Sequence, residues 1–281
     1  MENARQIWQE IAKALEKLYD KREASNIAML LLEDKYGLSK ADILAGSFFE
    51  NDQRSLEEDV QKLLMHEPIQ YITGVADFYG RTFQVRQGVL IPRPETEELV
   101  DLIIKSNTEA SPKILDIGVG SGCIAISLAL AFKCEVFGLD VSDVALMVSD
   151  QNARKHKAAL SLIKQDVLTE DIGMSDLDIL VSNPPYIPRE EQAEMRGNVI
   201  GYEPEEALFV KTNDPLIFYD RIAREGKRAL KEGGRLYFEI HEKFGKEVCN
   251  LLEDLRYRSV ILHEDMHGKD RIVVATNSTS T

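Results

Sequence analysis

Hydrophobic positions follow three different spacings along the chain. Over residues 1–74 they recur every three to four places. Ile7, Trp8, Ile11, Leu15, Leu18 and Tyr19 form one helical stripe, and Ile27, Ala28, Leu31 and Leu32 a second that should end at Gly37. Ser39 with Asp42 is an N-cap pair for a short helix. Ser55 with Glu58 reads as a capping box ahead of Leu56, Val60, Leu63 and Leu64, and Pro68 should stop that helix. A small helical bundle is expected, with no catalytic constellation of its own.

Between residues 75 and 93 the spacing loosens. Phe78, Phe83, Val85, Val89 and Ile91 alternate with polar residues, punctuated by Gly80 and Gly88, which predicts a β-hairpin linker. Pro94 suits the first turn of a helix whose buried face is Leu99, Val100, Ile103 and Ile104.

From residue 111 short apolar runs alternate with amphipathic ones. Strands are predicted at 113–117, 135–140, 161–165, 177–182 and 233–240, and helices at 124–132, 143–157, 215–230 and 242–254. Two final strands, 257–262 and 271–276, are joined by a loop at His267-Gly268 and should be antiparallel. This order implies an α/β, Rossmann-like parallel sheet with helices on both faces and its first four strand C-termini on one edge. The expected organisation is a helical substrate-recognition domain at 1–74, the hairpin linker at 75–93 and a catalytic domain at 94–281. The tail, residues 277–281, is expected to be disordered.

Composition narrows the function. No uninterrupted apolar stretch reaches the ~18 residues a membrane span needs, and the N-terminus lacks a basic-then-apolar signal. Cys123, Cys134 and Cys249 are odd in number and widely spaced, so they give neither a disulfide framework nor a metal pair. A cytoplasmic location and a monomer are expected. The net charge of −14 repels a polyanion, and the longest basic feature is the scattered Arg154-Lys155-His156-Lys157. A protein or small-molecule substrate is favoured over nucleic acid.

Two stretches carry candidate chemistry. The first, Asp116-Ile117-Gly118-Val119-Gly120-Ser121-Gly122, follows the first strand and opens a helix. Its glycines let backbone approach a ligand, and the helix start favours a carboxylate. A dinucleotide site would put its third glycine at position 123, which is Cys123. Asp140 ends the second strand, where a carboxylate can accept both ribose hydroxyls. Asp166 ends the third and could accept from an adenine amino group, with Val167 against the ring. Together these residues give the layout expected for S-adenosylmethionine.

The second stretch is Asn183-Pro184-Pro185-Tyr186, at the end of the fourth strand. Two prolines remove two N–H donors, leaving the Asn183 side-chain oxygen and the carbonyls of residues 183 and 184 as acceptors beside an aromatic face. A turn alone would explain Asn-Pro, but chance places this tetrapeptide in roughly one chain in a thousand of this length.

With these motifs the chain resembles S-adenosylmethionine-dependent methyltransferases that act on planar amino groups. Further stretches resemble the release-factor glutamine methyltransferases, the PrmC/HemK family: residues 67–74 (EPIQYITG), 90–97 (LIPRPETE), 202–208 (YEPEEAL) and 268–272 (GKDRI). The resemblance covers most of the chain. It implies a class I methyltransferase sheet, and methylation of the glutamine amide nitrogen in the Gly-Gly-Gln loop of peptide chain release factors. It also implies that the N-terminal bundle contacts the release factor. The roles implied are cofactor binding by Gly118 to Gly122, Asp140, Asp166, Val167 and Asn183, substrate binding by Asn183, Pro184, Pro185 and Tyr186, and catalysis by Asn183, Pro184 and Tyr186. An aromatic residue often follows the third-strand acid in this family; here it is Val167.

Rival functions are a ribosomal-protein glutamine methyltransferase, a DNA adenine methyltransferase, which the −14 charge disfavours, and a non-catalytic binding module, disfavoured because both motifs are intact. His263-Glu264-Asp265-Met266-His267 matches His-Glu-x-x-His, yet that zinc motif needs a helix and this one follows the β-rich Ser259-Val260-Ile261-Leu262. A short inter-strand loop without a metal is expected there.

Overall fold

A computed structural model describes residues 2–50, 53–194, 201–210 and 214–278, in two compact units. The smaller is built mainly from residues up to Val75, with Val85–Gln87 and Tyr202; the larger holds Ala76–Gln84, Gly88–Glu194 and Glu203–Thr281.

The smaller unit is helical: α1 (Ala4–Leu15), α2 (Lys21–Leu30), α3 (Lys40–Ala45), α4 (Gln53–Leu64) and α5 (Ile69–Thr73). Leu15, Leu31, Leu32, Ile43 and Leu63 fill its core. Asp59 is buried there and accepts from Lys35 Nζ at 2.7 Å and Tyr36 Oη at 3.0 Å. Three local readings differ. Leu18 is exposed, because α1 ends before it. Ser55 falls in the first turn of α4 rather than capping it, and Glu58 pairs with Arg54 at 3.1 Å instead of reaching back to a cap. Pro68 follows the end of α4 and N-caps α5, whose five residues are too few to show a period.

A hairpin, Val75–Phe78 with Arg81–Gln84, belongs to the larger unit from Ala76 on and leads toward α6 (Pro94–Ser106), with Pro94 in its first turn. The sheet strands are β1 (Ile114–Ile117), β2 (Val136–Asp140), β3 (Leu160–Lys164), β4 (Leu177–Ser182), β5 (Leu230–Glu239), β6 (Arg258–Glu264) and β7 (Asp270–Thr276). Their spatial order is β3-β2-β1-β4-β5-β7-β6; β7 runs antiparallel to β5 and β6, and the first five are parallel. The remaining helices are α7 (Cys123–Phe132), α8 (Asp143–His156), α9 (Glu205–Leu208), α10 (Ile217–Ala229) and α11 (Gly245–Asp254).

Strand β1 is buried at every position, as expected of a parallel strand covered on both faces. Alternate residues feed two cores. Ile114, Val136 and Ile179 pack with α6 and α7 on one face, while Leu115, Leu139 and Leu180 pack with α10 and α11 on the other. Phe78 and Phe83 of the hairpin enter the first core, their rings edge-on at 6.0 Å, which is why Ala76–Gln84 belongs to the larger unit.

The C-terminal tail is packed further than its polar composition suggests. Asn277 is buried and donates from Nδ2 to the Leu230 carbonyl at 2.8 Å, so residues 277 and 278 are packed, while 279–281 lie outside the described residues. His263 and Glu264 end strand β6, and the turn after them holds His267, so the His-Glu-x-x-His match does not lie on a helix. Among the described residues no helix is long and apolar enough to cross a membrane.

Phe83→Ala should destabilise the larger unit by about 3–5 kcal/mol in urea unfolding, with Phe83→Leu recovering most of it. A loss below about 1 kcal/mol would show that the hairpin is not part of this core.

Candidate functional site

The C-terminal ends of β1, β2, β3, β4 and β5 deliver polar groups to one sheet edge. After β1 the Gly118 and Val119 amides both donate to the Leu139 carbonyl, at 2.8 and 3.0 Å, folding the loop over β2. Gly138 in β2 makes room: a Cβ there would stand 2.8 Å from Val119 Cγ2. Gly118 has φ +78°, and a Cβ on it would lie 3.9 Å from the Asn183 carbonyl, so the glycine loop and Asn183 are neighbours.

Two residues of α8 fix this loop from behind. Ser149 Oγ donates to the Gly120 carbonyl at 2.7 Å. Asn152 Nδ2 donates to the Ser121 and Gln84 carbonyls, both at 2.9 Å, and its Oδ1 accepts the Gln84 amide at 2.7 Å. Both residues are fully buried. The available signal was two polar residues on the apolar face made by Ala145, Val148 and Ala153.

A cavity of about 300 Å³ opens at this edge. Its wall includes Gly118, Val119, Gly120, Ser121, Asp140, Asp166, Val167, Asn183 and Pro185. Three expected residues stand off it. Gly122 begins α7, where a Cβ would meet Ile126 and Ser149. Pro184 is buried. Tyr186 packs edge-on to His241, with ring centroids 5.7 Å apart, and burial pushes its hydroxyl pKa upward. Phe218 of α10 shares the cavity wall with Val167, an aromatic residue that local sequence did not single out.

The site's electrostatics favour a cation. Asp140 Oδ2 accepts the Gly120 amide at 3.0 Å and Oδ1 accepts the Ser142 amide at 2.9 Å; burial nonetheless pushes this carboxyl upward. Behind the loop, Asp116 is fully buried, and among the described residues its side-chain oxygens make no well-formed hydrogen bond, the Ala125 amide lying near them without meeting bonding geometry. Burial pushes Asp116 up to about 7, against the pull of the Ala125 amide, and the Asp140 charge adds to the rise. Arg93, also on the cavity wall, is held at 2.6 Å by buried Glu203, which accepts the Ile91 amide through its other oxygen at 3.2 Å.

Beside Asn183 lies a second buried acid that sequence reading passed over. Ser182 of β4 is opposite Phe238 of β5, so the next residues, Asn183 and Glu239, emerge side by side. Asn183 Nδ2 donates to Thr96 Oγ1 at 3.4 Å, and Thr96 Oγ1 donates to Glu239 Oε2 at 2.7 Å.

The family model for the methyltransferase small domain matches residues 96–201, and that for the PrmC N-terminal domain matches residues 6–74. A release factor glutamine methyltransferase of Bacteroides thetaiotaomicron is 45% identical over 270 residues, covering 94% of this chain and 97% of its own. One from Flavobacterium psychrophilum is 41% identical over 273 residues, covering 94% and 95%. The chain belongs to the release factor glutamine methyltransferase family. Its fold is shared more widely. A Pyrococcus furiosus methyltransferase aligns with TM-score 0.53 at 17% identity, over 82% of this chain and all of that one. The Thermus thermophilus 16S rRNA N2 G1207 methyltransferase, solved with AdoMet and guanosine, also gives 0.53 at 17% identity, over 72% of this chain and 49% of its own. At such identity these two speak for the fold alone. Within the family fold, the glycine loop and Asn183 stand on the methyltransferase portion, and α1 to α5 on the N-terminal portion.

Asp116 gives a pH prediction. Its carboxyl is raised from 3.8 to about 7, so between those values the folded state keeps a proton that the unfolded chain has released. The stability this confers is full below about pH 4 and lost as pH rises through about 7. Asp116→Asn should flatten this dependence and gain on the order of 1–3 kcal/mol over wild type at pH 8, by urea unfolding without ligand. Parallel pH profiles for the two proteins would refute the assignment.

Proposed function

We propose that the chain transfers the methyl group of S-adenosylmethionine to the side-chain amide nitrogen of the glutamine in the Gly-Gly-Gln loop of peptide chain release factors. The observation that carries this reading is the Asn183 carboxamide, set beside the acceptor-rich cavity in a chain of this family.

The residues present fit the cofactor. Asp116, whose two buried oxygens make no well-formed hydrogen bond among the described residues, favours positive charge nearby, and Asp140 and Asp166 add acidic wall to the cavity. A ligand carrying both an ammonium and a sulfonium answers that demand. In this reading the loop from Gly118 to Gly122 receives the amino-acid end. Each Asp140 oxygen accepts one backbone amide and retains a lone pair, enough for one ribose hydroxyl apiece. Asp166 accepts from the adenine amino group, with Val167 and Phe218 against the ring. When bound, S-adenosylmethionine supplies an electrophilic methyl group on its sulfonium.

The chain's own residues then solve a problem of orientation. A carboxamide nitrogen is a poor nucleophile because its lone pair is delocalised into the carbonyl. Asn183 Oδ1 and the Pro184 carbonyl accept its two N–H bonds, aim the nitrogen and stabilise positive charge as the new bond forms. Pro185, on the cavity wall, and Tyr186, just outside it against His241, are assigned to flank the amide plane. Holding the reactants in line supplies much of the remaining acceleration. The nitrogen then loses one proton to solvent. The helical unit is assigned to recognition of the release factor, and the enzyme is taken to work in the cytoplasm as a monomer, without nucleic acid.

Labelled S-adenosylmethionine should mark a release factor and leave its Gln→Ala loop variant unmarked; equal labelling of both would sink the substrate assignment. Asn183→Ala should lower kcat about 100-fold or more while the cofactor Kd stays within about fivefold. Wild-type turnover in that variant would remove Asn183 from the mechanism.

A further inference from the structure

Resting on the role of Asn183 given above, we propose that Thr96 and Glu239 are positioning residues that set which end of the Asn183 carboxamide faces the substrate. Both are buried, at 3% and 1% exposure. They come from distant parts of the chain, the first turn of α6 and the last residue of β5.

The device is the single proton of the Thr96 hydroxyl. An ionised carboxylate only accepts, so at 2.7 Å the Thr96 proton points to Glu239. Toward Asn183 the hydroxyl oxygen is then an acceptor. It selects the Nδ2 end of the carboxamide, which lies at 3.4 Å, and leaves Oδ1 for the incoming amide. Nitrogen and oxygen ends of an asparagine have nearly the same shape, so packing alone does not choose between them; hydrogen-bond polarity does.

Protonation of Glu239 reverses the sequence. Its own O–H donates to Thr96, the Thr96 proton turns toward Asn183, and the carboxamide is favoured with Oδ1 inward. The NH2 group then faces the substrate amide, donor against donor. Glu239 titrates where this matters: burial pushes it up to about 7, opposed by Thr96, Arg271 and Asn183 and reinforced by Glu95. Arg271 of β7 and Glu95 of α6 act on it through their charge. Tyr186, Tyr219 and Cys123, the other titratable groups facing it, stay protonated near neutral pH because burial pushes each of them upward.

The test is kcat for a release factor between pH 6 and 9, at saturating substrate and cofactor, in wild type and four variants. Wild-type kcat should rise through about pH 7, and Glu239→Gln, which cannot ionise, should lose that rise. Thr96→Val should lower kcat about tenfold at pH 8 with the KM for release factor and the Kd for S-adenosylmethionine within about threefold, and Thr96→Ser should restore most of it. Wild-type kcat in Thr96→Val, or an unchanged pH rise in Glu239→Gln, would overturn the inference. So would a Thr96→Val defect confined to cofactor Kd. Asn183→Ala, run alongside, separates the two claims. An inactive Asn183→Ala beside a fully active Thr96→Val defeats only the positioning role, whereas an active Asn183→Ala defeats both readings.

Discussion

Everything at the functional edge depends on burial of the parallel strands on both faces. Between α6 and α7 on one side and α10 and α11 on the other, β1 and β4 have almost no place for a polar side chain. Polar groups can therefore emerge only where strands end. Because β1 to β5 run in the same direction, their ends coincide, and Gly118, Asp140, Asp166, Asn183 and Glu239 collect on one side without any being close in sequence.

The same constraint explains what the chain discloses residue by residue. Strand runs such as Leu177–Ser182 are nearly all apolar, so the alternation with helices was legible, and so were the glycine loop and Asn183-Pro184-Pro185-Tyr186, whose chemistry is contiguous. Glu239 was not legible. It closes an apolar run, and only the register of β5 on β4 brings it beside Asn183. Thr96 is one polar residue in a helix turn until tertiary packing buries it. Ser149 and Asn152 look like ordinary helix residues until the loop they support is in view. Ser55, Pro68 and Asn277 depart for a simpler reason: each obeys a local preference, for a cap, a stop or a polar tail, that an earlier helix start, a following short helix or a buried carbonyl overrides.

Charge is distributed unevenly in effect, if not in number. The surface ion pairs, such as Arg54 with Glu58 or Arg154 with Asp150, are solvated and contribute little. The acids that matter are few and buried. Asp59 has its cation, and Glu203 has Arg93. Among the described residues Asp116 makes no well-formed hydrogen bond, and Glu239 has a hydroxyl. The first two brace structure. The latter two stand at the strand ends, where an uncompensated carboxylate costs stability and shapes what can bind.

The bridge made by Asn152 bears on how such a chain can be recombined. One side chain clasps the Gln84 backbone at both its amide and its carbonyl while also holding Ser121. Residues 76–84 are thus an upstream buttress of the glycine loop, although they lie ahead of every strand of the main sheet. A chimaera joined at the start of α6 would leave that loop unsupported from behind; one joined ahead of residue 76 would carry its brace with it.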